Sequence, residues 1–425
     1  MGDENGQPKK IEDFSKFIGT FSSHYNDNYD NQTTVTEEER KKRQETAPQI
    51  ADSYYDFAST AYEVNWSTHF HYTPFPPTYP PHDNTLATAM LLYEHRLAYL
   101  LQLRPNSLIL DVGCGIGGPA RSIARLTGCT VIGLTINQSQ VDRAIYLTEM
   151  EGLSHQVSFV KGDFLDMPFA DESFDAVIAI EATCHSPSLE RVYREVNRVL
   201  KPGGMFGTSE WVLTNKFDEK NQRHVGIRNR IERGNGLSNL HTCKAARNAF
   251  LAAGFELEHE EDYASHFEVP NDLESSIATQ NSSPILIPFK DGPRLAPAPS
   301  TPLPTTRLSL RPWTFPLRGE HRLATTWTDW WTCFKMSPLM RRLCYWFVYF
   351  GEKIGIVDKG VMQAMQTMAV CVDSVVEGGQ EGVFSPCWWF IGRKGEDDVK
   401  KEEDGGGRAT RKDLNKRVPY RAENE

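Results

Sequence analysis

An apolar strand, Leu108 to Val112, runs straight into the glycine-rich turn Leu110-Asp-Val-Gly-Cys-Gly-Ile-Gly-Gly118, and a helix over 119–126 follows. No other feature constrains the fold as tightly. Glycine lets the backbone take positive φ and lets a ligand approach with no Cβ in the way. The helix start adds free N–H groups. The alternation then continues, with strands at 130–134, 157–161, 176–180 and 205–211 and helices at 138–151 and 189–200. Short strands alternating with helices predict βαβ units, an α/β fold and a mostly parallel sheet. Such sheets bind ligands outside the carboxyl ends of their strands.

The flanking sequence divides by composition. Residues 1–50 are polar and carry the run Glu37-Glu-Glu-Arg-Lys-Lys-Arg43, which predicts a disordered arm with one solvated helix. Residues 51–105 form an aromatic helical segment, and 106–265 hold the strand–helix region. Residues 270–311 are proline-rich and aperiodic, as expected of a disordered insertion, and 312–394 return to aromatic and apolar sequence. The charged tail, 395–425, is expected to be disordered.

A net charge of −10 argues against a nucleic-acid partner. Eight scattered cysteines with no C-x-x-C pair read as reduced thiols of a cytoplasmic protein, not as a metal site. The start, Met1 to Lys10, is charged and has no apolar stretch, so no secretory leader is expected, and no run of 18 apolar residues offers a transmembrane helix.

Polar groups stand at four strand ends. Asp111 closes the first strand and can hold the turn or a ligand amino group. Thr135 and Gln140 follow the second and can bond a diol, where many cofactor folds use a carboxylate. Asp163 can accept an adenine amino proton beside Phe164, whose ring can pack on the base, and Glu181 ends the fourth strand. Each alone reads as an ordinary cap or loop residue. Four in order, each just past a strand, point to one nucleotide-type ligand.

The glycine turn resembles the D-x-G-x-G-x-G turn of S-adenosylmethionine-dependent methyltransferases. Tyr54-Tyr-Asp56, Tyr62-Glu-Val-Asn-Trp66, Phe70-His71, Glu94-His95, Phe159-Val-Lys-Gly-Asp-Phe164 and above all Ala179-Ile-Glu-Ala-Thr-Cys-His185 are similar to the sterol C24-methyltransferases. So are Leu200-Lys-Pro-Gly-Gly204, Glu210-Trp211 and Gly234-Asn-Gly-Leu237. The likeness resumes in Pro312-Trp-Thr-Phe-Pro-Leu317, Phe350-Gly-Glu-Lys-Ile-Gly355 and Phe384 to Lys394, which resemble the family's C-terminal domain.

The resemblance implies a Rossmann-like class I fold: a mostly parallel seven-stranded sheet flanked by helices, with a smaller α+β C-terminal cap. It implies S-adenosyl-L-methionine as cofactor, held by Tyr54, Asp111, Gly113, Cys114, Gly115, Gly117, Thr135, Gln140, Asp163, Phe164 and Glu181. The implied reaction methylates C24 of a Δ24-sterol or related triterpenoid and leaves a tertiary carbocation that must lose a proton. The site then needs apolar walls, aromatic faces for the cation and one base. Tyr62, Glu63, His71, Glu181, His185 and Glu210 are the candidates, with the four carboxylate and imidazole groups Glu63, Glu181, His185 and Glu210 expected to line one cavity.

Departures are visible. The family's Y-E-Y-G-W has Val64 and Asn65 here, which is expected to remove a cation-stabilising ring, and the proline-rich insertion has no counterpart. Two other readings compete: a catalytically silent binding paralogue, and a peripheral membrane adaptor suggested by Trp327, Trp330, Trp331, Trp346, Phe347 and Phe350. The expected setting is cytoplasmic, with peripheral contact to endoplasmic reticulum or lipid droplets and homo-oligomerisation both left open.

Overall fold

The computed structural model describes residues 14–25, 35–75, 85–267 and 311–395. Its helices are α1 (Phe14–Ser22), α2 (Glu37–Glu45), α3 (Ala47–Asn65), α4 (Leu86–Leu100), α5 (Gly118–Thr127), α6 (Gln138–Met150), α7 (Leu189–Val199), α8 (Gln222–Gly234), α9 (Cys243–Ala252), α10 (Trp327–Met336), α11 (Pro338–Ile354) and α12 (Val361–Gln380). The strands are β1 (Leu108–Val112), β2 (Thr130–Thr135), β3 (Val157–Lys161), β4 (Phe174–Ile180), β5 (Leu200–Leu213), β6 (Phe255–Asp262) and β7 (Phe384–Lys394).

The strands make one sheet in the order β3-β2-β1-β4-β5-β7-β6. β1 to β5 run parallel, with Asp111 beside Gly133 on one side and Ile178 on the other. Local sequence explains the crossovers. Asn137 caps α6 by accepting from the Gln140 N–H at 3.0 Å. In α7, Leu189, Val192, Tyr193, Val196 and Val199 are buried at helical spacing.

The last strand changes the domain picture. β7 pairs antiparallel with both β5 and β6, so it lies inside the sheet and does not belong to a separate cap. Its apolar run suits the placement: Cys387, Trp389 and Ile391 on one face and Phe390 on the other are all buried, so both faces of the strand are covered. The chain after the insertion must therefore return to complete the catalytic sheet.

The expected disordered arm is corrected over residues 14–25 and 35–50; residues 1–13 and 26–34 lie outside the described residues. Ile18 and Phe21 of α1 and Tyr25 just beyond it pack against Ile50, Tyr54 and Phe57 of α3. The charge run in α2 is solvated on one side only: Glu37, Glu38, Lys41 and Lys42 are exposed, while Arg40 and Arg43 are buried. Arg40 and Arg43 reach the fully buried Glu232 at 2.6 and 3.1 Å, and Arg228 adds a third contact at 3.0 Å. Burial pushes the Glu232 carboxyl up, but Arg40, Arg228 and Arg43 outweigh it and hold it below the ordinary 4.5. With the folded value below the unfolded one, this stabilisation is present above about pH 4.5 and lost as pH falls through the folded value. Glu232→Ala is expected to cost about 3–5 kcal/mol, because it strands buried guanidinium charge. Urea denaturation at pH 7 checks this; a loss under about 1 kcal/mol would show the cluster to be worth no more than surface pairs.

The expected insertion ends one residue too late. Arg311 is buried, pairs with Asp329 at 2.9 Å and stacks on Phe75 and Phe315. The rest of the proline-rich stretch, 270–310, and the tail from 396 lie outside the described residues. Among the described residues, no helix is long and apolar enough to cross a membrane.

Candidate active site

The glycine turn sits at the carboxyl end of β1, where backbone and ligand must approach closely. Gly113 has φ +72°, and a Cβ there would lie 2.3 Å from that of Ala182. Gly115, at φ +54°, would place its Cβ 3.3 Å from the Phe70 ring. Both turn residues line a cavity with Asp111, Cys114, Thr135, Gln140, Asp163, Phe164, Glu181 and His185. Gly117 lies behind it. A Cβ there would meet Phe159 at 2.4 Å, so this glycine serves helix–strand packing and does not line the cavity.

The polar groups differ in what they leave free. Asp111 is buried, and its Oδ2 has no partner. Burial, then the Glu94 charge, pushes its carboxyl up to about 7. An unpaired buried carboxylate oxygen beside a side-chain-free turn fits an incoming ammonium group. Thr135 donates to Gln140 at 2.6 Å, and Gln140 donates onward to Ser59. Asp163 Oδ1 accepts the Leu165 N–H at 2.8 Å. These observations fit S-adenosylmethionine: Asp111 for the amino group, Thr135 and Gln140 for the diol, and Asp163 with Phe164 for the base.

A second cavity of about 520 Å³ opens beside the first and shares Tyr55, Phe70, His71, Glu181 and His185 with it. Its walls include Tyr54, Tyr62, Trp66, Tyr72, Trp211 and Leu237. It suits a large apolar molecule, with aromatic rings grouped near the shared wall.

Glu181 stands at that wall with φ 53°, a left-handed conformation that costs energy in a non-glycine residue. Its Oε1 accepts the Tyr72 N–H at 2.8 Å and its Oε2 the Trp211 indole N–H at 2.7 Å. Burial nevertheless dominates; although His71, Trp211 and Tyr72 oppose it, the carboxyl is pushed up to about 8. His185 goes the other way, to about 4, chiefly through burial. Its Nδ1 faces the Gly236 carbonyl at 3.2 Å, so Nε2 is left to accept from the Tyr55 hydroxyl at 3.0 Å. Nδ1 of His71 lies 2.8 Å from the Tyr72 carbonyl and its Nε2 3.0 Å from Glu94, acceptors on both sides. Burial pushes Glu94 up, but His69 and His71 outweigh it and hold it at about 2.

Besides Gly117, three further expected site residues do not take their expected places. Glu63 grips Arg143 of α6 through both carboxylate oxygens, because it is one position round the helix from Tyr62 and so faces away from the cavity. Glu210 points to the opposite sheet face from Ser209 and Trp211, by strand alternation. There it is fully buried and bonded by Thr183, Tyr193 and Thr208. Tyr54 leaves the cofactor set, since it lines only the second cavity, bonded to Tyr62 at 2.5 Å. Val64 is 71% exposed, so no ring is lost from the cavity at that position. Tyr55, Phe70, Tyr72 and Trp211 were missed as site residues; their only sequence signal was membership of the aromatic block or the Glu-Trp motif. Glu63→Gln is therefore expected to leave turnover unchanged and to lower stability by about 1 kcal/mol or less. Steady-state kinetics beside thermal unfolding test both halves.

Sheet order, glycine turn and paired cavities define a class I S-adenosylmethionine-dependent methyltransferase. The family model described as "Methyltransferase domain" matches residues 110–207, and "Sterol methyltransferase C-terminal" matches 331–396. The chain is 38% identical over 361 residues to the sterol 24-C-methyltransferase of Aspergillus fumigatus, spanning 85% of this chain and 84% of that one. It is 36% identical to the sterol 24-C-methyltransferase of Debaryomyces hansenii over 85% and 83% of the two chains. This chain belongs to the sterol 24-C-methyltransferase family. Among solved structures, the cyclopropane synthase MmaA2 of Mycobacterium tuberculosis superposes with a TM-score of 0.55 at 12% identity, over 82% of this chain and 98% of that one, and shares the fold.

Proposed function

We infer that this enzyme transfers a methyl group from S-adenosylmethionine to C24 of a Δ24-sterol side chain. One observation carries the reading: a polar cavity at the glycine turn and a large aromatic cavity meet at Tyr55, Phe70, His71, Glu181 and His185. When bound, the cofactor supplies an electrophilic methyl group on a sulfonium sulfur. Asp111 orients its amino group, and the glycine turn admits it without side-chain obstruction. Tyr62, Phe70 and Tyr72 present rings to the cation that methyl addition leaves on the substrate.

Glu181 is the base that takes the final proton. It outranks His185, whose value of about 4 makes its imidazole a far weaker acceptor than a carboxyl at about 8. Tyr55 and His185 close the same wall and position the substrate. Incubating the protein with labelled S-adenosylmethionine and a panel of Δ24-sterols, with products read by mass spectrometry, tests the assignment. Label on C24 of a sterol supports it. Label only on a non-sterol triterpenoid would move the substrate class, and cofactor binding without any transfer would favour a silent paralogue.

A further inference from the structure

The helix α11 is apolar yet almost unburied. Only Gly351 of its 17 residues is buried. From Leu343 to Phe350 it carries no charge, and Leu343, Trp346, Phe347, Phe350 and Ile354 are each more than half exposed. Their spacing of three, four and seven residues puts them on one stripe. A soluble surface rarely leaves so much contiguous apolar area without a partner. In the neighbouring α10, Trp327 is 72% exposed and stacks on Trp330 at 4.9 Å.

We propose that α10 and α11 form a docking face for an anionic phospholipid membrane, seated against the mouth of the substrate cavity. Two observations choose this partner. First, charge: residues 327–360 hold five basic and three acidic side chains in a chain whose net charge is −10, with Asp329 buried against Arg311 and Arg341 paired to Asp373 of α12. Arg342 and Lys353 are exposed and bracket the uncharged run, as interfacial cations do beside lipid phosphates. Second, continuity: the same two helices supply Lys335, Met336, Arg341, Arg342 and Tyr345 to the cavity lining. A helix of 17 residues is about 25 Å long, short of the about 30 Å hydrocarbon core, and charges flank its apolar run. It therefore lies in the interface and does not span it. A second copy of the chain on this face would close the cavity mouth to a substrate that is nearly insoluble in water. This last step rests on the sterol reading above.

The test uses the full chain and a Trp346→Glu/Phe347→Glu double variant, neither residue lining a cavity. Flotation with phosphatidylcholine vesicles containing phosphatidylserine should carry the unaltered chain upward, and pure phosphatidylcholine vesicles should carry less. The double variant should bind the anionic vesicles at least about tenfold more weakly. Circular dichroism and S-adenosylhomocysteine affinity should match the unaltered chain. Turnover of vesicle-embedded sterol should fall with binding, while turnover of detergent-solubilised sterol holds. Equal flotation of both proteins would overturn the proposal. So would absent flotation combined with a sedimentation coefficient that drops in the double variant, which would assign the face to a second copy. Vesicle binding with no methylation of any sterol would instead sink the substrate reading and leave the docking face standing.

Discussion

Glu181→Gln is expected to lower kcat by about 10²–10⁴-fold, the usual worth of a positioned general base. The substitution keeps shape and the Trp211 N–H contact while removing the charge. Cofactor affinity should stay close to that of the unaltered enzyme, which separates loss of the base from collapse of the site. The pH profile adds a second readout. Burial has pushed the carboxyl up to about 8, so kcat should rise with pH as it ionises. The cationic cofactor beside it should draw that limb below 8, and the Gln variant should lack it. The stability sign is the reverse of an ordinary ion-paired carboxylate. Its folded value exceeds the ordinary 4.5, so its contribution is greatest below pH 4.5 and is lost as pH rises through about 8. Undiminished turnover in the Gln variant would transfer the base role to the Tyr55–His185 pair.

Asp111→Asn should weaken S-adenosylmethionine binding by about 10²–10³-fold, since it leaves an ammonium group in a buried site without its counter-charge. Burial and Glu94 push Asp111 up to about 7 in the free protein, so the carboxylate must be unmasked for binding. Affinity should fall by up to about tenfold per pH unit below 7 and level off above it. Calorimetry between pH 5.5 and 8.5 measures both effects. A flat pH profile in the unaltered enzyme would show that another group meets the amino end of the ligand. Together with Glu181→Gln, this substitution separates holding the donor from finishing the reaction.

Much of the lining of the candidate site was legible because its determinants are local. Asp111, Gly113, Gly115, Thr135, Asp163 and Glu181 each lie at or just past the end of a strand, and a parallel sheet brings all such ends to one edge. Glu63 and Glu210 illustrate where that reasoning stops. Both sit in motifs beside true cavity residues, but one position along a helix turns a side chain about 100°, and one along a strand turns it to the other face. The motif placed the segment correctly; the pairing with Arg143 and with Tyr193 showed which way each carboxylate points.

By itself the sequence determined the α/β class, the glycine turn and its ligand edge, because periodicity and glycine act over a few residues. It also carried enough motif to identify the family. Only the tertiary structure decided that α2 closes on Glu232, that β7 lies inside the catalytic sheet, and that Glu181 and His185 titrate far apart in one wall. These depend on contacts between segments 192 to 315 residues apart and on how completely each charge is removed from water. Neither quantity is written in local spacing.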